Sequence, residues 1–311
     1  GCDWVAFLYA SIAAILGMRL RQVCNESGLN HYMGIAISAF VATIIAWAST
    51  LLPAEWTSTP WHPLLACALF IVPGVPLINF VDDMLDNYIQ VGIVRAVNTL
   101  LMVAAMAFGI AFAVKLCHIE NFFPTISMVP HHQYWEYAIA AAISAMGFSM
   151  IFNIQRRLLW VVAIGGIIAV CTRNFVNLGP STDNIGLDMG LVIGSFSGAV
   201  LVSLIAIKAV HWFHVPNHVL TIPSVIPMIP GVLMYRMLFG IININVQSID
   251  QVTPLMKAIE SGVNSGLVIM CIALGVAIPN IFGRRFIASS KNKRLAELLK
   301  ERKARGKFVE W

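Results

Sequence analysis

Residues 70–79 read Phe-Ile-Val-Pro-Gly-Val-Pro-Leu-Ile-Asn, an apolar run with Pro73, Gly74 and Pro76 at its centre. The apolar residues are typical of a membrane helix. Each proline, however, lacks a backbone N–H, and glycine adopts dihedral angles that other residues avoid. The stretch therefore predicts a membrane helix that is broken near its middle.

A second broken helix is predicted in the other half of the chain. Residues 222–231 read Ile-Pro-Ser-Val-Ile-Pro-Met-Ile-Pro-Gly, and Pro223, Pro227 and Pro230 precede Gly231. Backbone groups freed by such a break are tolerated at membrane depth only where protein or a water-filled cavity satisfies them. Two matched breaks in corresponding positions therefore predict a binding site that both segments share.

The composition is that of an all-α polytopic membrane protein. Of 311 residues, 59% are hydrophobic and 11% are charged, and the mean hydropathy is +0.80. A helix that spans hydrocarbon needs roughly 20 apolar residues. About nine transmembrane segments meet this requirement, at residues 3–18, 33–52, 64–81, 92–114, 136–153, 158–176, 187–207, 219–242 and 262–282.

The charge distribution predicts the orientation of the chain. The net charge is +5, and ten of the twenty Lys and Arg residues follow Gly283. Because cytoplasmic segments of membrane proteins are enriched in Lys and Arg, we expect a cytoplasmic carboxyl terminus in a plasma (inner) membrane. Residues 286–311 then form a basic, amphipathic cytoplasmic tail on the bilayer surface, and no nucleic-acid partner is expected.

Three successive segments recur at an offset of 156 or 157 residues, which predicts an internal duplication. The recurring motifs are Trp4-Val5 with Trp160-Val161, Gly34-x-x-Ile37-x-x-Phe40 with Gly190-x-x-Ile193-x-x-Phe196, and Pro73-Gly74-Val75 with Pro230-Gly231-Val232.

We assign residues 1–115 to a first repeat with four helices and residues 116–285 to a second with five. The first repeat lacks an equivalent of the opening helix of the second, so we expect the parent protein to begin before residue 1. An odd number of helices per repeat gives the two halves opposite orientations, as in many secondary transporters.

Polar residues directly after the first break are candidates for substrate binding and proton coupling. Asn79 precedes Asp83 by about one helical turn, and Arg95 follows at the start of the next segment. A carboxylate beside a substrate path is a candidate proton carrier, and an arginine is a candidate carboxylate clamp. We expect Asp82 and Asp86 to be solvated loop charges.

An alternative function is that of an intramembrane prenyltransferase, because Asp82-Asp83-x-x-Asp86 has the form of a magnesium–diphosphate motif. Such an enzyme needs a second aspartate-rich motif, and only the poorly spaced Asp183 and Asp188 are available. Histidines near residue 214 lack further ligands, so we expect no metal, and neither catalytic nor nucleotide-binding motifs indicate an enzyme or a cofactor. A third reading is a membrane scaffold whose breaks serve packing.

The two proline-glycine motifs, with Asn79, Asp83, Gly92, Arg95 and Tyr235, resemble the threonine/serine exporter family in its fused two-half form. The resemblance covers roughly residues 3–285. It implies a proton-driven secondary exporter of small hydroxylated amino acids, for which Tyr235 is a further candidate contact. Related split versions imply small dicarboxylates such as succinate as the alternative substrate. Expected partners are the small polar amino acid or carboxylate, protons and the lipid bilayer. The sequence leaves open whether the protein forms a homo-oligomer.

Overall fold

A computed structural model describes residues 3–53, 55–57, 59–66, 73–118, 133–180, 185–213, 215–242 and 252–304. The described residues form helices and no strands. The α-helices are α1 (Trp4–Glu26), α2 (His31–Trp47), α3 (His62–Ala66), α4 (Gly74–Leu85), α5 (Ile89–Leu116), α6 (Tyr134–Ile151), α7 (Leu159–Asn177), α8 (Leu191–Phe213), α9 (Asn217–Val225), α10 (Gly231–Ile242) and α11 (Val252–Ala304).

The all-α membrane architecture predicted from composition is confirmed. Six helices in the described ranges are long and apolar enough to cross a bilayer, and they correspond to six of the nine predicted segments. The fifth predicted segment is the 18-residue α6. The third and the eighth are divided into shorter helices, so the number nine itself is not established.

Both predicted breaks are present. At the first, Pro73 is not helical and α4 begins directly after it at Gly74; residues 67–72 lie outside the described ranges. The second lies between α9 and α10, where residues 226–228 form a single 3₁₀ turn. The helices α4 and α10 each begin at the glycine of the Pro-Gly pair. The repeat therefore holds for the starts of these two helices.

The buried faces of α2 and α8 also match at the predicted offset of 156 residues. Of the seven buried positions of α2, five have buried counterparts 156 residues later in α8. The helix pairs in contact repeat too, because α1 with α2, α2 with α5 and α4 with α5 correspond to α7 with α8, α8 with α11 and α10 with α11. The matched positions are Ser38, Ala39, Ala42, Thr43 and Ala46 with Gly194, Ser195, Gly198, Ala199 and Val202.

In each half, the broken segment connects two parallel helices and runs back in the opposite direction. The helices α2 and α5 run in the same direction, since Tyr32 contacts Asn98 near their starts and Phe40 contacts Phe112 further along. The chain between two parallel helices must run back in the opposite direction, and α3 with α4 supplies this return. The equivalent helices α8 and α11 are joined by a buried hydrogen bond from Ser203 Oγ to the carbonyl of Val276.

The two broken segments run antiparallel to each other where they meet. At one end of the contact, Gly74 at the start of α4 lies against Ile226, which follows α9. At the other end, Asp82 near the end of α4 faces His218 at the start of α9. Equivalent segments that run in opposite directions are what an inverted-topology repeat requires.

The basic tail continues the last apolar helix without interruption. The 53 residues of α11 extend from Val252 to Ala304 and would measure about 80 Å, against roughly 30 Å of hydrocarbon. The division at residue 286 is therefore a change of composition within one helix. The side chains beyond Gly283 lie outside the described part of the chain.

Replacing Gly109 tests the packing of α2 on α5. A Cβ atom at Gly109 would overlap the backbone carbonyl of Ala36, and backbone cannot yield as a side chain can. We expect Gly109→Ala to lower the free energy of unfolding by about 1–3 kcal/mol, measured by thermal unfolding in detergent. The matched control is Gly266→Ala in α11, where no atom lies within 4 Å; equal effects would contradict the interface.

Candidate functional site

The two Pro-Gly breaks contact each other across the halves. A Cβ atom at Gly74 would lie 2.6 Å from Cδ1 of Ile229 and 3.8 Å from two carbons of Ile226. Ile229 stands between Pro227 and Pro230, so the first break lies directly against the second. We name this contact the crossing, defined by Pro73, Gly74, Pro227, Pro230 and Gly231.

On either side of the crossing, a residue that follows one break packs against residues of the other half. Val75, which follows the first break, packs against a buried cluster that contains Ile222 of the second half. Val232, which follows the second break, packs against a cluster that contains Leu64 of the first half. Each broken helix thus uses the other half to bury its apolar residues.

The start of two helices at the crossing gives it a positive potential. The carbonyl of Pro73 accepts the N–H of Leu77 at 3.0 Å, and the carbonyl of Pro230 accepts the N–H of Met234 at 3.1 Å. The Gly231 N–H donates to the carbonyl of Ile229 at 2.8 Å. In the first turns, the N–H groups of Gly74 and Val75 and those of Val232 and Leu233 have no partner within their own helix. Together with the helix dipoles they favour an anion, such as a carboxylate.

Asp83 and Arg95 form an ion pair within the first half. Arg95 Nη1 lies 2.6 Å from Asp83 Oδ2, and both side chains are partly buried. The pair forms because α4 and α5 are joined by a tight turn, in which Asn87 adopts a left-handed conformation and Tyr88 N–H donates to the carbonyl of Asp83. Gly92 allows close packing here, since a Cβ atom would lie 2.9 Å from the Phe80 carbonyl oxygen.

The predicted site residues fall into two separate places. Asp83 lies nine residues beyond Gly74 along α4, which corresponds to roughly 13 Å along a helix. The Asp83–Arg95 pair therefore lies at the end of α4, away from the crossing. Asn79 lies between the two, five residues beyond Gly74. Tyr235 belongs to α10, but its side chain lies outside the described residues.

The expectation that Asp82 is a solvated loop charge is wrong. The helix α4 continues to Leu85, four residues beyond the predicted end at residue 81, so that Asp82 is helical. Its side chain is 15% exposed, and Oδ2 lies 3.9 Å from Nδ1 of His218. No pattern in the sequence indicates this contact, because the two residues lie in different halves.

Arg236 is a further polar residue near the breaks, and no motif in the sequence singled it out. It lies inside α10, five residues beyond Gly231, and its side chain is partly buried. It is the repeat equivalent of Asn79, which lies five residues beyond Gly74. Val232, one turn earlier on the same side of α10, packs against the first half. The repeat offset could have identified Arg236.

The aspartates of the Asp-Asp-x-x-Asp pattern do not act as one cluster. Asp83 faces Arg95 and Asp82 faces His218. Among the described residues, no three His, Cys, Asp or Glu side chains are grouped so that they could hold a metal ion. His214, Asp183 and the side chain of His211 lie outside the described residues.

A polytopic membrane protein with inverted halves and paired broken helices at its centre belongs to the class of membrane transport proteins. The chain belongs to the threonine/serine exporter family, in the form with two fused halves. The family model ThrE, for a threonine/serine exporter, matches residues 1–117, and a model with the description "Threonine/Serine exporter, ThrE" matches residues 137–282.

Curated relatives have a different substrate in their names. The chain is 32% identical over 113 residues to the "Probable succinate transporter subunit YjjP" of Klebsiella aerogenes, a match that covers 36% of this chain and 43% of the relative. It is 30% identical over 113 residues to the protein of the same name from Escherichia coli K12, at 36% and 44% coverage. The chain thus spans less than half the length of these relatives. No solved structure matches.

Cross-linking can test whether the two breaks meet. In a variant without native cysteines, we expect Gly74→Cys and Ile229→Cys to be joined by a short bifunctional thiol reagent, because these positions are in contact. The joined protein would migrate differently from the unjoined one after cleavage of a protease site inserted between the halves. The control pair is Gly74→Cys with Gly266→Cys; equal yields for both pairs would contradict the crossing.

Proposed function

We propose that this protein is a secondary active exporter of small hydroxylated amino acids, threonine and serine, coupled to protons. The observation that carries this proposal is the contact of the two broken helices at the crossing, where two helix starts favour a carboxylate. Family membership supports the export of a small polar acid. The proposal places the protein in the plasma membrane with its carboxyl terminus in the cytoplasm, as its Lys and Arg distribution indicates.

A zwitterionic substrate needs donors for its carboxylate and acceptors for its ammonium group. The helix starts at Gly74 and Gly231 supply N–H donors, and Arg236 supplies a guanidinium group in the second half. Asn79 supplies an amide oxygen in the first half. Further along α4, the Asp83–Arg95 pair offers both charges, which a zwitterion could exchange for its own two charged groups.

Transport follows from movement of the two halves around the crossing. The broken helices contact one another through apolar side chains, chiefly Ile226 and Ile229 against Gly74. Such a contact can slide or open at lower cost than a network of buried hydrogen bonds, which would leave polar groups unpaired. Rocking of inverted halves would then expose the substrate alternately to each side of the membrane.

The export of a small dicarboxylate such as succinate is the second candidate. It is supported by the name that the two relatives share and by two arginines, Arg95 and Arg236, at positions beyond the two breaks. A dicarboxylate needs a positive partner for each of its carboxylates. An amino acid needs only one, together with an acceptor for its ammonium group.

Transport by the purified full chain in proteoliposomes separates these candidates. Vesicles with an acidic lumen should accumulate labelled threonine or serine if export is proton antiport, and labelled succinate if the alternative holds. Empty liposomes and a collapsed pH gradient are the controls. Accumulation of none of the three compounds, by protein shown to be folded, would contradict the proposed function.

Replacing Arg236 tests its assignment to the substrate carboxylate. We expect Arg236→Gln to reduce uptake at low substrate concentration by roughly tenfold or more, the value of one hydrogen bond to a charged group. Arg236→Lys keeps the charge but loses the planar donor pair. Its uptake should therefore lie between that of the unaltered protein and that of Arg236→Gln. Lys115→Gln on the exposed face of α5 is the matched control. Unchanged uptake by Arg236→Gln would exclude this role.

A further inference from the structure

The contact of Asp82 with His218 joins the two halves through ionisable groups. Asp82 belongs to α4 of the first half and His218 to α9 of the second, and their Oδ2 and Nδ1 atoms are 3.9 Å apart. The carboxylate side chain is 15% exposed and the imidazole is 42% exposed. The Asp83–Arg95 pair, in contrast, lies within one half and would move with it as a unit.

We propose that Asp82 and His218 form the proton-binding pair that couples proton movement to the movement of the halves. This inference rests on the proposed function of proton-coupled export, and it assigns the coupling to residues other than Asp83. Histidine is the side chain whose charge changes most readily near neutral pH. A carboxylate facing it across the halves makes the strength of the contact depend on bound protons.

The proton count of the pair determines the attraction between the halves. With a neutral imidazole and a carboxylate, the pair has one negative charge and only a weak contact. One added proton on the imidazole gives an attractive ion pair of zero net charge. A second proton, on the carboxylate, removes the attraction and leaves one positive charge. The attraction between the halves therefore depends on how many protons the pair holds.

The start of α9 is held in place within the second half, so relative movement of the halves must change the distance between Asp82 and His218. Asn217, the residue before His218, donates from Nδ2 to Oδ1 of Asn280 in α11. Asn280 is 6% exposed, which fixes this contact in the protein interior. His218 thus follows the second half, while Asp82 follows the first half.

Other charged groups near this end of the molecule set the background potential of the pair. These groups are carboxylates and cations on α4 and on the elements packed around it. The charged groups at this end are Asp83, Asp86, Arg95, Arg156, Arg157 and Lys208, together with Arg284 and Arg285 of α11. Arg284 and Arg285 follow Asn280 by about one turn, and their side chains lie outside the described residues.

The experiment compares two assays of the full chain in proteoliposomes, with whichever of labelled threonine, serine or succinate the unaltered protein moves. Counterflow without a pH gradient measures substrate binding and movement of the halves. Accumulation driven by an acidic lumen measures proton coupling. We expect Asp82→Asn and His218→Gln each to retain counterflow, to lose gradient-driven accumulation, and to flatten the pH profile of counterflow between about pH 5 and 8.

Asp86→Asn is the matched control, a carboxylate one turn beyond Asp82, and it should keep both activities. If Asp82→Asn does not fold, the more exposed His218→Gln decides the test. Gradient-driven accumulation that persists in the folded variants overturns the assignment of the pair. Absence of gradient-driven accumulation in the unaltered protein overturns the proposed proton coupling instead.

Discussion

Backbone N–H and C=O groups that lose their helical partners cannot face hydrocarbon, and this constraint organises the protein. Prolines and glycines interrupt one apolar segment in each half, so both segments must be enclosed by protein or water. The arrangement meets the requirement by placing the two interruptions against each other, with Gly74 in contact with Ile226 and Ile229. The surrounding continuous helices then form two equivalent supports around this contact.

The duplication explains why the interruptions can meet. Buried positions of α2 and α8 match along the repeat, and the same helix pairs are in contact in each half. Because the equivalent broken segments run antiparallel, the start of α4 lies beside the end of α9, and the end of α4 lies beside the start of α9. The same antiparallel arrangement brings Asp82 to His218.

The halves have the same framework of helices but different polar residues, so the two sides of the site differ in charge. The position five residues beyond the break is Asn79 in one half and Arg236 in the other. One end of α4 also has the Asp83–Arg95 pair, while the equivalent end of α10 has apolar residues and Gly240. A symmetric framework with asymmetric charges suits a carrier whose substrate has different groups at its two ends.

The sequence by itself determined the helical membrane fold and the two breaks, because hydropathy and proline act over short stretches of chain. It also made Asn79, Asp83 and Arg95 candidates for the site, which stay a prediction. It failed for Asp82, which was expected in solvent, and it did not single out Arg236. Only the tertiary structure separated Asp83 from the crossing and placed Asp82 opposite His218. Such contacts depend on which helix faces meet across distant segments, and packing of the whole bundle decides this.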